Sequence, residues 1–347
     1  MIKAGVIGGT GYAGQELIRL LTDHPDVRIS FITSSSNHGE HYAKLYMSYY
    51  ERMNINCIEM PLDIMGQDID VLFIALPHGH SSTFLDQEII NKIKVVDLGA
   101  DFRLNDVDTY NQWYSPKHIN PKLIESAVYG LCELNREAIK KTNLVANPGC
   151  YTTCSILSLA PLLMKSLIDL ESIVIDAKSG ITGAGRTLSL STHYSECNEN
   201  MNSYNTIRHR HTPEIEEKLS SLSGERIKLS FVPHLMPVNR GILTTIYCKP
   251  NQSVNYGSIR NAYGNLYNSE KFVRLLPEGI SAETKWVKGS NYIDIGIFFD
   301  ERTNRIIITS ALDNLIKGAA GQAIQNMNIM FGLNEETGLD RVSMFPA

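Results

Sequence analysis

The sequence predicts an α/β fold: a Rossmann-type dinucleotide-binding domain, then an α+β domain with a mostly antiparallel sheet. Three observations carry this expectation. A glycine turn, GGTGYAG at 8–14, stands between a short apolar run and a helical repeat. Apolar runs and helical segments then alternate up to residue 149, as covered parallel strands require. Beyond residue 170, strand-like runs follow closely with only short helices among them.

Lys3-Ala4-Gly5-Val6-Ile7 reads as a buried strand, and Ala13, Leu17, Leu20 and Leu21 recur at helical spacing after the glycines. Strands are expected over 27–33, 71–76 and 94–98, with a helix over 82–91. Leu144-Val145-Ala146 leads into the turn Asn147-Pro148-Gly149, a helix over 151–165 and a strand over 172–177. Strands over 227–232, 242–248, 272–276, 292–299 and 306–310 make the second domain. A last helix, 312–331, presents Leu315, Ala319, Ala323 and Met327 on one small-residue face and is expected to return to the first domain. The expected division is 1–149, completed by 312–347, and 150–311. A chain of 347 residues also exceeds what one core usually serves.

With 43% hydrophobic and 20% charged residues the chain can bury real cores. Net charge is -5 and the basic residues are scattered, which argues against nucleic acid or a membrane as partner. The opening MIKAGVIGG is too short and too glycine-broken for a signal peptide, so a cytoplasmic enzyme is expected. The uncharged stretch 142–164 contains Asn147, Pro148, Gly149 and Pro161, which suits a turn and buried helix better than a membrane span.

Gly8, Gly11 and Gly14 are spaced GxxGxxG, a departure from GxGxxG. Gly8 suits the tight turn, Gly11 a close approach of backbone to a pyrophosphate, and Gly14 close helix–strand packing; Thr10, Tyr12 and Ala13 complete the loop. A plain glycine turn is the competing reading. After the second strand the chain reads Thr33-Ser34-Ser35-Ser36-Asn37, with no carboxylate to repel a 2'-phosphate. Ser34, Ser35 and Ser36 therefore point to NADP rather than NAD, or else form a solvated turn.

The six cysteines form no CxxC pair, so neither a disulfide framework nor a zinc ribbon is expected. Cys150 follows a turn and opens a predicted helix, where the dipole and free N–H groups favour thiolate. Cys57, Cys132, Cys154, Cys197 and Cys248 are read as lacking that setting; burial as a small apolar residue is the alternative for Cys150 too. Company comes from Arg208-His209-Arg210-His211-Thr212-Pro213-Glu214, with a helix expected from Pro213. In an extended segment His209 and His211 would point to opposite sides. HxH lacks a third ligand, so no metal is expected, and a solvated basic loop is the plain alternative. His78, His80 and His234 are further candidates.

These residues resemble one family. GGTGYAG at 8–14, NPGCYTT at 147–153, DAKSGITGAGR at 176–186, HRHTPEI at 209–215, PHLMPVNRGILTTIY at 233–247, LPEG at 276–279, GSNYIDIG at 289–296 and DNLIKGAAGQAIQNMN at 313–328 occur in order and resemble N-acetyl-gamma-glutamyl-phosphate reductases. The resemblance implies NADPH-dependent reduction of N-acetyl-gamma-glutamyl phosphate to the semialdehyde with release of phosphate, a step of arginine biosynthesis, on a homo-oligomeric fold similar to aspartate-semialdehyde dehydrogenase. It implies Cys150 as nucleophile and His209 and His211 in the active site, with His211 as base. Ser179, Gly180 and Asn314 fall to the cofactor, Asn314 alternatively capping the last helix. Arg103, Arg186 and Asn147 fall to the substrate, the arginines alternatively forming surface ion pairs. Members often carry a basic residue where this chain has Ser36. The competing functions are a reductase of a homologous acyl phosphate, such as N-acetyl-aminoadipyl or aspartyl phosphate, a non-catalytic NADP-binding regulator, and a hydroxy-acid dehydrogenase acting without a covalent intermediate.

Overall fold

The computed structural model describes residues 1–61 and 63–346. The chain forms two compact units: unit 1 is Met1–Pro148 with Ala319–Leu339, and unit 2 is Gly149–Gly318 with the chain end from Asp340.

Unit 1 is a parallel sheet of β1 (Ile2–Ile7), β2 (Val27–Thr33), β3 (Cys57–Ile58), β4 (Val71–Ile74), β5 (Lys94–Asp97), β6 (Ala127–Tyr129) and β7 (Leu144–Ala146), in the order β3-β2-β1-β4-β5-β7-β6. The order reverses between β1 and β4, the switch point at whose carboxyl edge open α/β sheets bind ligands. All four residues of β4 are buried, as a strand covered on both faces must be. That strand stops two residues short of the expected 76, before Pro77, which has no N–H for the ladder. The helix expected over 82–91 is instead a 3-10 turn, Ser81–Thr83, and a helix, Gln87–Lys92, begun by the Asp86 carboxylate accepting the Ile89 N–H at 2.9 Å. β3 and β6, of two and three residues, are too short to show a period.

The segment after residue 312 departs from its expected single helix. The Asp313 carboxylate accepts the Leu315 and Ile316 N–H groups, a π-helical turn spans Ile316–Ala320, and the α-helix runs only over Gly321–Met330. All ten residues of that helix are buried, amides included, rather than one small-residue face. Gln322 and Asn326 each donate a side-chain amide to the Gly130 carbonyl at 2.8 Å, tying the helix into unit 1.

Unit 2 holds a mixed sheet of β8 (Val174–Gly180), β9 (Asn202–Ser203), β10 (Ser230–Met236), β11 (Ile242–Cys248), β12 (Val273–Leu275), β13 (Ile293–Asp300) and β14 (Arg305–Leu312), ordered β12-β13-β14-β11-β8-β10-β9. Only β8–β10 and β12–β13 pair in parallel. In β11 burial alternates residue by residue, one face to the core. β10 lies three to four residues later than the expected 227–232 and runs through Pro233, which is tolerated because β9 reaches only His234 and Leu235.

Across this unit lies the helix Cys150–Met164, buried from Tyr151 to Leu163. Pro161 inside it has no N–H for the Leu157 carbonyl. The Tyr267 hydroxyl donates to that carbonyl at 2.6 Å, and Tyr263 donates to the next one, Ser158, at 2.6 Å.

Candidate active site

Gly149 caps the buried helix with extended backbone, and Cys150 is its first helical residue. The first-turn N–H groups there have no intrahelical acceptor and favour an anion beside them. Cys150 is half-buried, whereas Cys57, Cys132, Cys154 and Cys248 are buried. Burial pushes the Cys57 thiol up, Cys154 to about 11 and Cys248 to about 12, which suits inert packing groups. One expectation is corrected: Cys132 also opens a helix, Cys132–Ile139, but its sulfur is buried and donates to Asn326 Oδ1 at 3.2 Å. Helix position alone does not single out Cys150; position with accessibility does. Gly318 is forced by the same neighbourhood, since a Cβ there would stand 2.7 Å from Cys150 Cβ.

The turn before Cys150 is held from the side. The fully buried Glu214 carboxylate accepts the Gly149 N–H at 3.0 Å and lies 2.8 Å from the Thr152 hydroxyl, so it brackets Cys150 along the chain. Glu214 lies in the first turn of the helix His211–Ser223, and its buried bond to Gly149 carries no local signal in the sequence.

The histidine segment is not extended. Arg210 is helical, and the helix starts at His211 rather than at Pro213, which sits in the first turn where its missing N–H costs nothing. Both imidazoles therefore lie on the same side, their centroids 4.9 Å apart and 5.6 and 5.9 Å from the Tyr151 ring, next in chain to Cys150. His209 is enclosed by Tyr151, Tyr204, Phe231 and His211. Its Nδ1 accepts the His211 N–H at 3.1 Å, and burial, then the charges of His211 and Arg210, lower it to about 2. It stays neutral near pH 7. Burial first, then Tyr204, holds Tyr151 far above the ordinary phenol range; burial first, with the Cys150 charge adding, pushes Tyr204 up to about 12. The Tyr151 hydroxyl donates to the His234 carbonyl at 3.1 Å, while His234 Nδ1 lies 3.2 Å from both the Ala177 carbonyl and Asp176 Oδ1.

Ser179 and Gly180 end β8. Ser179 is buried and donates to the Gly180 carbonyl, and a Cβ at Gly180 would meet the Asn239 carbonyl oxygen at 2.7 Å. Asn314 caps no helix: its Oδ1 accepts the Gly241 N–H at 2.8 Å and its Nδ2 donates to Thr182 Oγ1 at 3.0 Å, tying two loops of unit 2. Arg186 is exposed on the loop after Gly185. No group of three metal-ligating side chains occurs among the described residues.

In unit 1 the glycine loop joins β1 to the helix Tyr12–Thr22, capped by Gly11. Gly8 has φ +79°, and a Cβ on Gly14 would stand 2.3 Å from the Gly8 carbonyl oxygen. At Gly11 a Cβ would meet only that oxygen, at 3.8 Å, so glycine there leaves open the space a side chain would fill. Tyr12 is exposed and Ala13 half-buried on the helix's first turn. Gly8 and Gly9 donate to Thr33 Oγ1 and O, both at 3.1 Å, and the Thr10 and Ser34 hydroxyls meet at 2.9 Å. Ser35 and Ser36 are exposed at the end of β2, and no carboxylate stands among residues 33–37. Loop and serines together fit a dinucleotide with a 2'-phosphate.

Two substrate candidates lie inside unit 1. Asn147 donates to the Ala319 carbonyl and accepts from Asn326, both at 3.1 Å. Arg103 is 7% exposed, donates to the Leu98 carbonyl at 2.7 Å and faces the fully buried Asp97. Burial and the charge of Asp101 raise Asp97 to about 7, although Ser81 Oγ and the Gly99 N–H bond its Oδ1 at 2.7 and 2.9 Å. His78 packs its ring against Tyr114 at 5.3 Å, and His80 precedes the 3-10 turn at the same edge of the sheet.

Residues 3–142 match the semialdehyde dehydrogenase NAD binding domain and residues 150–314 the semialdehyde dehydrogenase dimerisation domain. Along the full length of both chains the sequence is 49% identical to an N-acetyl-gamma-glutamyl-phosphate reductase of Lachnoclostridium phytofermentans and 51% identical to one of Desulforudis audaxviator. The chain belongs to the N-acetyl-gamma-glutamyl-phosphate reductase family. This reductase family fold is similar to that of aspartate semialdehyde dehydrogenase II from Vibrio cholerae complexed with ASA, at TM-score 0.71 and 15% identity over 96% of this chain and 98% of that one. It is also similar to aspartate semialdehyde dehydrogenase with NADP from Candida albicans, at TM-score 0.66 and 18% identity over 95% and 99%. At such identities the likeness speaks for the fold.

Proposed function

We propose that the chain is a phosphorylating, NADP-dependent semialdehyde dehydrogenase that reduces N-acetyl-gamma-glutamyl phosphate to N-acetyl-L-glutamate 5-semialdehyde, working in the cytoplasm as a homo-oligomer in arginine biosynthesis. The observation that carries this reading is an accessible cysteine at the first position of a buried helix, in a chain about half identical along its whole length to reductases of that name.

Cys150, as thiolate, attacks the acyl carbonyl, and the first-turn N–H groups donate hydrogen bonds to the carbonyl oxygen as charge develops on it. The C–O bond to phosphate breaks, phosphate leaves with the electron pair, and a thioester remains on Cys150. When bound, the dinucleotide supplies the hydride that reduces this thioester. The resulting thiohemiacetal expels Cys150 as thiolate and releases the aldehyde. His211 moves the protons in both halves, because burial keeps His209 from taking up a proton. Arg186, being exposed, is assigned to the anionic substrate in preference to Arg103 and Asn147, whose observed contacts are internal.

The test is the reverse reaction: reduction of NADP by N-acetyl-glutamate semialdehyde, followed by NADPH absorbance, with and without phosphate. Absorbance is expected to rise only with phosphate and intact Cys150. Equal activity in Cys150→Ser would remove the covalent route. Comparing kcat/KM on one-methylene homologues, which differ by only ~1–3 kcal/mol in binding, fixes the substrate.

A further inference from the structure

The segment after β2 carries three tyrosines whose rings pack together, Tyr42 to Tyr46 at 5.0 Å and Tyr42 to Tyr49 at 5.2 Å. All three hydroxyls donate to backbone carbonyls at the start of the chain. Tyr42 donates to Gly9 at 3.0 Å, Tyr46 to Thr10 at 2.8 Å, and Tyr49 more loosely to Gln15 at 3.4 Å. Gly9 and Thr10 are the middle of the glycine loop. Two successive peptide planes of that loop are thus held from behind by phenols some thirty residues away in sequence.

A trans peptide is planar, with its carbonyl and N–H on opposite sides. Fixing the Gly9 carbonyl toward Tyr42 therefore turns the Thr10 N–H away from Tyr42. Fixing the Thr10 carbonyl toward Tyr46 orients the Gly11 N–H, which closes on the Gly8 carbonyl at 3.3 Å. The other side of the loop is pinned to Thr33, through the Gly8 and Gly9 N–H groups. Glycines at 8, 9 and 11 would otherwise leave this stretch the freest backbone in the unit.

We propose that Tyr42 and Tyr46 are positioning residues for the cofactor: their hydroxyls hold the Gly9 and Thr10 carbonyls, presetting the loop to receive the pyrophosphate of the dinucleotide. This rests on the dinucleotide reading of the loop given above. The clamp lowers the conformational cost of binding the pyrophosphate. The adenosine end falls instead to Ser34, Ser35 and Ser36.

The experiment compares binding of NADP and of adenosine 2'-monophosphate, which lacks the pyrophosphate, to wild type, Tyr46→Phe and Tyr42→Phe by calorimetry. Tyr50→Phe, which alters an exposed ring on the same segment, is the control. Phenylalanine keeps the ring packing and removes only the hydroxyl. Each clamp variant is expected to weaken NADP about three- to tenfold, the range of one net hydrogen bond. Affinity for adenosine 2'-monophosphate and for both ligands in Tyr50→Phe is expected to be unchanged. Unchanged NADP affinity in both clamp variants overturns the proposal, and so does an equal loss for both ligands, which is a fold defect. If Tyr42→Phe fails to fold, the half-buried Tyr46 decides alone. A wild-type chain that binds no NADP overturns the dinucleotide reading and the clamp with it, which separates the two failures.

Discussion

At the scale of single residues, protonation separates the groups that act from those that hold. His209 is lowered to about 2, mainly by burial, against an unfolded value near 6.5. As pH falls below about 6.5 the unfolded chain takes up this proton first, so the stability His209 contributes is lost on acidification. His24 and His118 are lowered by burial in the same sense. The unfolding midpoint is expected to fall between pH 7 and 5, and His209→Phe to flatten that slope; an unchanged slope in scanning calorimetry would count against the buried, neutral ring. Asp97 has the opposite sign. Its folded value is raised to about 7, so the folded state prefers the protonated acid and stability declines as pH rises from about 4 through 7. Asp97→Asn, which keeps an acceptor for Ser81 and Gly99, is expected to raise the midpoint at pH 8 relative to wild type, by ~2–4 °C for each kcal/mol recovered. Cys150→Ser is expected to lose at least about a thousandfold in kcat while NADP affinity stays the same, because only the covalent step is removed.

At the scale of elements, the sites are loops pressed against helix starts, and glycines record how closely. Gly14→Ala puts a Cβ 2.3 Å from the Gly8 carbonyl, a backbone atom that cannot swing aside. The expected result is weakened NADP binding with a loss of about 1–3 kcal/mol in stability, read by calorimetry and denaturant titration. Gly318→Ala, 2.7 Å from Cys150 Cβ, should lower kcat in a steady-state assay, since the new Cβ must push the Cys150 turn aside. The glycine loop, the Cys150 turn and the long strands were legible because each rests on local periodicity or turn chemistry. The one-sided histidine pair was not, because a single helical residue, Arg210, reverses which way His211 points. The Glu214 bond to Gly149 and the tyrosine hydroxyls on the glycine loop were equally silent, both joining residues far apart in sequence.

At the scale of the molecule, unit 1 is completed by a segment that arrives from the far end of the chain. Ala319–Leu339 brings Gln322 and Asn326 to the Gly130 carbonyl, Asn328 to His24 at 3.0 Å, and Glu335 to Arg136. The all-round burial of the last helix was not legible in the sequence, since a row of buried amides looks like a solvated face. Ending the chain at Gly318 would remove these side chains together with Ile324 and Met327, and uncover the Gly130 carbonyl, His24 and Arg136. Such a truncation is expected to be insoluble or to bind no NADP, even though every residue of the glycine loop is still present. No helix among the described residues is long and apolar enough to cross a membrane. The match to a dimerisation domain over 150–314 makes sedimentation of the intact chain the direct measure of assembly; a single species at 38.8 kDa would contradict the homo-oligomer.

The proline within the helix that Cys150 opens binds the fates of two distant positions. Pro161 leaves the Leu157 carbonyl without its usual donor, and Tyr267 supplies one. Tyr267→Phe alone strands a buried acceptor and should destabilise by about 1–3 kcal/mol. Pro161→Ala restores the missing N–H, so beside it the same Tyr267→Phe change should become nearly neutral, a coupling that a double-mutant cycle measures directly. Descendants of this chain are therefore free to discard the phenol only after the proline is gone, and the order in which the two substitutions accumulate is set by one carbonyl oxygen.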